Sequence, residues 1–272
     1  MTVLELIEYG NKYLPSHQVK LLLSYVLDCD NLDLTTRFEE KVSLDVINEY
    51  KTKVEQVANN VPIQYVIGKC NFYGYEFLVN EDVLIPRFET EELVENTVKY
   101  IQNIFPAQNI NIIDLGCGSG NIGITLKKRI PRAHVTCVDI SLNALNITKK
   151  NAERLDCYID LIESDMLDSV EGKFDVIISN PPYISFDEEI EELVKENEPH
   201  LALYAKMNGL YFYDKILSTC KKHLNSRFLI AFEIGMTQKD AIISLVNQYF
   251  DNVHIECKKD LSLKDRMIFI YN

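Results

Sequence analysis

The stretch I110-N-I-I-D-L-G-C-G-S-G-N-I-G123 passes from one local pattern to another and back. It begins as a short apolar run, continues through glycines at 116, 118 and 120, and opens a segment with helical spacing over 121–129. A strand, a glycine turn and a helix in that order are the first unit of an alternating α/β fold. Glycines there allow a tight turn and let the backbone approach a ligand closely. A plain strand-to-helix turn is the simpler reading, and the rest of the chain decides between them.

The alternation continues downstream. Strands are expected at 134–140, 158–162, 174–179 and 227–234, with helices at 89–104, 141–155, 209–223 and 237–250. Ser141 is placed to cap the second of these helices. An acidic helix is expected over 187–198, with Ile190, Leu193, Val194 and Asn197 on one face. Two strands at 253–257 and 266–271 lack an intervening helix and are expected to pair antiparallel. Such a pattern specifies a doubly wound, Rossmann-like, mostly parallel sheet with an antiparallel last strand.

Upstream the character changes. Residues 1–60 have apolar positions at helical spacing, broken at Pro15-Ser16, and read as a small N-terminal helical domain. Residues 61–86 look strand-like, with 65–67, 72–79 and 83–85 as strands and Gly68, Gly74 and N80-E-D82 as turns, and read as a β-hairpin linker. The third domain would run over 87–272.

Composition narrows the function. The formal net charge is −13, the opposite of the clustered Lys and Arg that grip phosphates, so direct nucleic-acid binding is not expected. No apolar run is long enough to span a bilayer. The opening M1-T-V-L-E-L-I-E-Y carries acids and no basic stretch, so no signal peptide is expected. Seven cysteines without a C-x-x-C pair indicate neither a metal site nor a disulfide framework. The expectation is a cytoplasmic protein with reduced thiols.

In a doubly wound sheet, ligands bind at the carboxyl ends of the strands, where strand order reverses. Three features fall at such ends. G118-S-G-N-I-G123 fits a dinucleotide fingerprint, weakly by itself. Asp139 closes the next strand, where a carboxylate can hold two ribose hydroxyls, although it could also cap the following helix. S164-D-M166 follows the third strand and could flank an adenine ring, although Asp165 reads equally as a loop acid. Both nicotinamide and S-adenosylmethionine enzymes use these positions.

N180-P-P-Y183, after the fourth strand, separates the two. Neither proline has an N–H for a ladder, and Asn180 is held extended by the proline that follows it. A planar NH₂ group needs two acceptors, and the Asn180 side-chain carbonyl and the Pro181 backbone carbonyl can supply them. Pro182 stiffens the turn, and Tyr183 can stack on the planar group. Hydride transfer has no use for this arrangement, whereas methylation of nitrogen does. None of the five His lies in a motif. Cys117 and Cys137 read as packing residues, because no Pro-Cys follows the fourth strand.

With these residues in view, the chain resembles the glutamine methyltransferases that modify peptide chain release factors. The match runs over most of 60–272: P62-I-Q-Y-V-I-G68, F72-Y-G74, V83-L-I-P-R-F-E-T-E91, the 114–120 loop, V138-D-I-S141, A144-L145, F174-D-V-I-I-S-N-P-P-Y-I184, Glu198-Pro199, Ala202-Leu203 and F232-E-I-G235. The resemblance implies S-adenosyl-L-methionine as cofactor, held by Thr90, Gly116, Cys117, Gly118, Ser119, Gly120, Asp139, Met166 and Asn180. It implies that Asn180, Pro181, Pro182 and Tyr183 hold the substrate glutamine, in the Gly-Gly-Gln motif of release factors, with Asn180, Pro181 and Tyr183 carrying the catalysis. It implies no metal. The family's Gly-Gly-x-Asp-Gly appears here as A205-K-M-N-G209, and its D-L-x-G-x-x-R as D260-L-S-L-K-D-R266. An amino-methyltransferase acting on a nucleic-acid base shares N-P-P-Y, and the acidic charge weighs against it. A non-catalytic module is disfavoured because each piece of the site is present.

Overall fold

The computed structural model describes residues 1–272, apart from the side chain of Asn31. The chain divides into two compact units, Met1–Lys69 with Glu191–Asn197, and Cys70–Ile190 with Glu198–Asn272.

The first unit is helical. Its helices are Val3–Gly10, Ser16–Val26, Asn31–Thr36, Leu44–Ala58 and Ile63–Ile67, joined by the short Glu192–Asn197. Thr2 and Glu5 form a reciprocal capping box at the first helix, and Ser43 caps the fourth. Leu6, Val19, Leu22, Leu23, Tyr50 and Val54 are fully buried between them. The expected strand at 65–67 is instead helix. Pro62 precedes it, and Gly68 ends it at φ 77°, which is helix punctuation around an apolar run too short for periodicity to classify. The expected helix over 187–198 shrinks to Glu192–Asn197, which has no buried residue. Without a buried face, like charges four apart, such as Glu188 and Glu192, leave little to propagate a longer helix.

The second unit carries the sheet. A hairpin of β1 (Lys69–Phe72) and β2 (Tyr75–Leu78) turns at Tyr73 and Gly74, both at positive φ. The expected strand at 83–85 does not form. Val83 and Ile85 are buried, but the Ile85 N–H donates to the Glu198 carboxylate at 3.1 Å, so burial alternates without a ladder. The main strands are β3 (Ile110–Leu115), β4 (Ala133–Asp139), β5 (Asp160–Glu163), β6 (Phe174–Ser179), β7 (Leu224–Glu233), β8 (His254–Lys259) and β9 (Asp265–Tyr271). They lie in the order β5-β4-β3-β6-β7-β9-β8, parallel through β7, with β9 antiparallel to both neighbours. The doubly wound, Rossmann-like sheet with an antiparallel last strand is therefore present. Ile110 and Ile112 face one core and Ile113 and Leu115 the other, which is why this strand reads as a continuous apolar run. Among the described residues no helix is long and apolar enough to cross a membrane.

Strand order reverses between β3 and β6. Leu115 pairs with Ser179, so Gly116 and Asn180 follow from adjacent rungs of the ladder. Ser179 Oγ donates to the Leu115 carbonyl at 2.6 Å and pins the two strand ends together.

Candidate active site

A cavity of about 460 Å³ opens above this switch point. Gly116, Gly118, Asp139, Met166, Asn180 and Pro182 line it, so six of the expected site residues converge there. Asp165 lines it too, and its carboxylate pairs with Lys215 at 2.7 Å.

The glycine loop is held mainly by main-chain bonds. The Gly116 and Cys117 N–H groups both donate to the Val138 carbonyl, at 2.8 and 2.9 Å. Gly116 and Gly118 sit at φ 71° and 55°, and a Cβ on either would project into open space. Gly120 differs: a Cβ there would lie 2.6 Å from Thr148 Cγ2, so this glycine serves helix packing. Cys117 and Ser119 are buried beneath the loop, and neither lines the cavity. Cys117 Sγ lies 3.6 Å from Thr148 Oγ1, and the Ser119 carbonyl accepts from Asn151.

Asp139 ties the loop to the next helix. Its Oδ2 accepts from the Gly118 N–H and its Oδ1 from the Ser141 N–H, both at 2.9 Å. The helix cap itself is Ser141, whose Oγ accepts from the Ala144 N–H. The Ile140 N–H also favours the charged carboxylate, whose two oxygens still keep part of their accepting capacity. Burial raises the Asp139 carboxyl above its ordinary range, and these backbone donors oppose the shift. Below, Asp114 is fully buried and accepts from the Gly123 N–H at 2.9 Å, and burial pushes its carboxyl up to about 7.

Across the crevice, Asn180 donates its Nδ2 to Thr90 Oγ1 at 3.2 Å, and Thr90 donates its hydroxyl to Glu233 Oε2 at 2.7 Å. Thr90 lies under the cavity wall, 2% exposed, and does not itself line the cavity. Pro181 is buried, Tyr183 packs half-buried against one of the cores, and neither is among the residues that line the cavity. The Tyr183 carbonyl accepts from Gln238 Nε2 at 2.9 Å. Chain pairing resumes at Ile184, whose N–H donates to the Leu203 carbonyl. The N-P-P-Y turn is therefore a deliberate break between two paired segments.

Sequence reasoning passed over several of these supports. Glu198 and Glu233 were visible only as pieces of the family pattern, and no role followed from them. Gln238 and the cavity-lining Tyr211 and Phe212 gave no signal at all. The two departures from the family pattern fare differently. In 205–209 the positive φ values fall at Met207, Asn208 and Gly209, and a Cβ on Gly209 would lie 2.0 Å from the Tyr183 carbonyl oxygen. The one glycine retained is the one that sterics require. Leu263, where the family carries Gly, adopts φ 62° at 75% exposure, a conformation that costs a residue with a Cβ about 1–2 kcal/mol.

A mostly parallel sheet with a glycine loop after β3, a carboxylate at the end of β4 and an N-P-P-Y turn after β6 is the layout of a methyltransferase, and residues 88–205 match the Methyltransferase small domain. Residues 7–68 match the PrmC N-terminal domain. The chain belongs to the release factor glutamine methyltransferase family. It is 35% identical to the Bacillus subtilis release factor glutamine methyltransferase over 98% of this chain and 96% of that one. The Flavobacterium psychrophilum relative is 39% identical over 93% and 86%. Among solved structures, a Pyrococcus furiosus methyltransferase shares the fold at a TM-score of 0.54 and 16% identity, covering 81% of this chain and 98% of its own. The T. thermophilus 16S rRNA N2 G1207 methyltransferase, solved with AdoMet and guanosine, does so at 0.52 and 15% identity, covering 75% and 49%.

Proposed function

We propose that this enzyme transfers a methyl group from S-adenosylmethionine to the side-chain amide nitrogen of a glutamine in peptide chain release factors, in the cytoplasm. The observation that carries the reading is the orientation of Asn180. Its NH₂ end is engaged by Thr90, which leaves the Oδ1 end as an acceptor at the cavity.

The residues present fit the cofactor. Gly116 and Gly118 leave open the space that a Cβ would fill, so a ligand can lie directly against their backbone. The remaining lone pairs of Asp139 suit a ribose diol, and Met166 and Ile140 offer apolar walls for a ring. The volume suits a ligand of nucleoside size. Bound there, S-adenosylmethionine supplies a sulfonium methyl group as the electrophile.

An amide nitrogen is a poor nucleophile because its lone pair is delocalised. Asn180 Oδ1 and the Pro181 carbonyl accept the two N–H groups of the glutamine and draw the nitrogen toward a pyramidal shape. As positive charge builds on that nitrogen, both hydrogen bonds strengthen, which is preorganised electrostatic stabilisation. Tyr183 stacks on the amide and limits its rotation. No base need act before transfer, because the methylated nitrogen becomes acidic and releases its proton afterwards. The helical unit contains no site motif, and its role in this reading is to dock the protein substrate.

Transfer of labelled methyl to purified release factor tests the proposal. Label should appear on the parent release factor, and be absent from a Gln-to-Ala version of its Gly-Gly-Gln motif and from DNA and RNA. Labelled nucleic acid would transfer the site to base methylation.

A further inference from the structure

Glu233 lies at the end of β7, 2% exposed, with its carboxylate on the Thr90 hydroxyl. It ends the relay that begins at Asn180. A threonine hydroxyl has one hydrogen to give. While Glu233 is ionised it can only accept, so the Thr90 hydrogen must point to it. The Thr90 oxygen then has only lone pairs left for Asn180, and it must face the NH₂ end of that amide. A protonated Glu233 would instead donate to Thr90. The Thr90 hydrogen would then turn to Asn180 and favour its carbonyl end, sending the NH₂ group toward the cavity, where it repels a substrate NH₂.

We propose that Glu233 is a positioning residue for methyl transfer: acting through the Thr90 hydroxyl, it fixes which end of the Asn180 amide faces the substrate. The inference rests on the glutamine reading, because only an NH₂ substrate needs that end of Asn180.

The surroundings of Glu233 hold both outcomes within reach. Burial pushes its carboxyl up to about 7, and Glu89 of the helix Phe88–Ile104 adds to the rise. The Thr90 hydroxyl, Arg266 of β9 and the Asn180 amide oppose it by favouring the charged carboxylate. Asp260 Oδ2 holds Arg266 in turn at 3.2 Å. Tyr183 lies close enough for its phenol to feel this charge, and the Tyr213 hydroxyl donates to the Glu233 main-chain carbonyl at 2.8 Å. Above that pH the productive amide orientation prevails, and below it the inverted one grows. Activity should therefore fall as pH drops through about 7.

Glu233→Gln, Thr90→Val and Thr90→Ser test this alongside the parent enzyme. Single-turnover methylation at saturating cofactor and release factor should fall about tenfold or more in the first two, the size expected when one oriented hydrogen bond is lost. KM for the release factor should barely move. Thr90→Ser, which keeps the hydroxyl, should return to within a few fold of the parent. The acidic limb of the parent's pH profile should be absent in Glu233→Gln. A second readout needs neither cofactor nor substrate. The Asn180 side-chain NH₂ resonance, assigned by its loss in Asn180→Ala, should shift with a midpoint near pH 7 in the parent and stay flat in Glu233→Gln. A flat parent resonance between about pH 5.5 and 8.5, or parental turnover in Thr90→Val, would overturn the relay. If the parent fails to methylate release factor while the resonance still titrates, the functional reading falls and the relay stands.

Discussion

Across the crevice from one another, the glycine loop after β3 and the N-P-P-Y turn after β6 do related work with different atoms. The loop side is mostly backbone. Two N–H groups share the Val138 carbonyl, and one carboxylate, Asp139, joins the loop to the next helix. Its supports lie within a few tens of residues along the chain. The N-P-P-Y side is mostly side chain. Asn180 leans on Thr90, Thr90 on Glu233 and the Tyr183 carbonyl on Gln238, with partners up to 143 residues apart in sequence. A site built from backbone tolerates changes that keep the chain's path, whereas a relay of side chains fails when one member is replaced. The first side should therefore govern cofactor affinity and the second turnover.

The largest effect expected of this division is at Asn180. In Asn180→Ala the prolines keep the turn, so folding should be little changed, while one acceptor aimed at the substrate NH₂ disappears. That contact strengthens as charge develops, so single-turnover methylation at saturating ligands should fall about 10²–10³-fold. A rate within a few fold of the parent would reduce N-P-P-Y to a stiff turn.

Asp139→Ala should have the complementary effect. Losing charge-assisted hydrogen bonds to a diol costs about 1.5–3 kcal/mol, or one to two powers of ten in cofactor affinity by calorimetry. Turnover at saturating cofactor should be close to parental. If turnover fell and affinity held, the assignment of the two sides would be reversed.

The same division explains how much could be read from the sequence. The helix Asn121–Arg129 and the strand Phe174–Ser179 form at the expected residues, because each carries its own local pattern and its own punctuation. Gly116, Gly118, Asp139 and Asn180 can be placed at the cavity from the sequence because in this fold class position after a strand is itself information. Tyr65 to Ile67 and Val83 to Ile85 look strand-like in sequence and pair in no ladder, since an apolar run of three residues is too short to tell strand from helix or loop. Glu233 and Gln238 stayed hidden for a different reason. Their meaning lies in partners that only the folded sheet brings near, and an acid or an amide near a strand end has no signature of its own.

Gln238→Ala probes the long-range support at smaller cost. Gln238 donates to the Tyr183 carbonyl and accepts from the Gly235 N–H, at 2.9 Å each, and so clamps the turn to the end of β7. Each such hydrogen bond contributes about 0.5–1.5 kcal/mol, so kcat/KM should drop by roughly tenfold with cofactor affinity unchanged. Parental kcat/KM would mean that the two prolines alone set the position of Tyr183.

Tyr183→Phe should have the smallest effect, and it separates the ring from the hydroxyl. The ring packs half-buried against the core that contains Phe232, and in the proposed mechanism it stacks on the substrate amide. Burial, reinforced by the nearby Glu233 carboxylate, raises the phenol above its ordinary range, so it stays neutral throughout the working pH range. A neutral phenol held this way is no proton acceptor for an amide nitrogen, and the acidic product needs none. Phenylalanine keeps the stacking face and the packing, so turnover should stay within about threefold of the parent, the scale of one modest hydrogen bond. Tyr183→Ala removes the ring itself and should fall well below it. The pH profile of Tyr183→Phe should keep the acidic limb and gain no new alkaline one. A loss of tenfold or more in Tyr183→Phe, with cofactor affinity intact, would give the hydroxyl a direct part in holding the glutamine and move the N-P-P-Y side from two acceptors to three polar contacts.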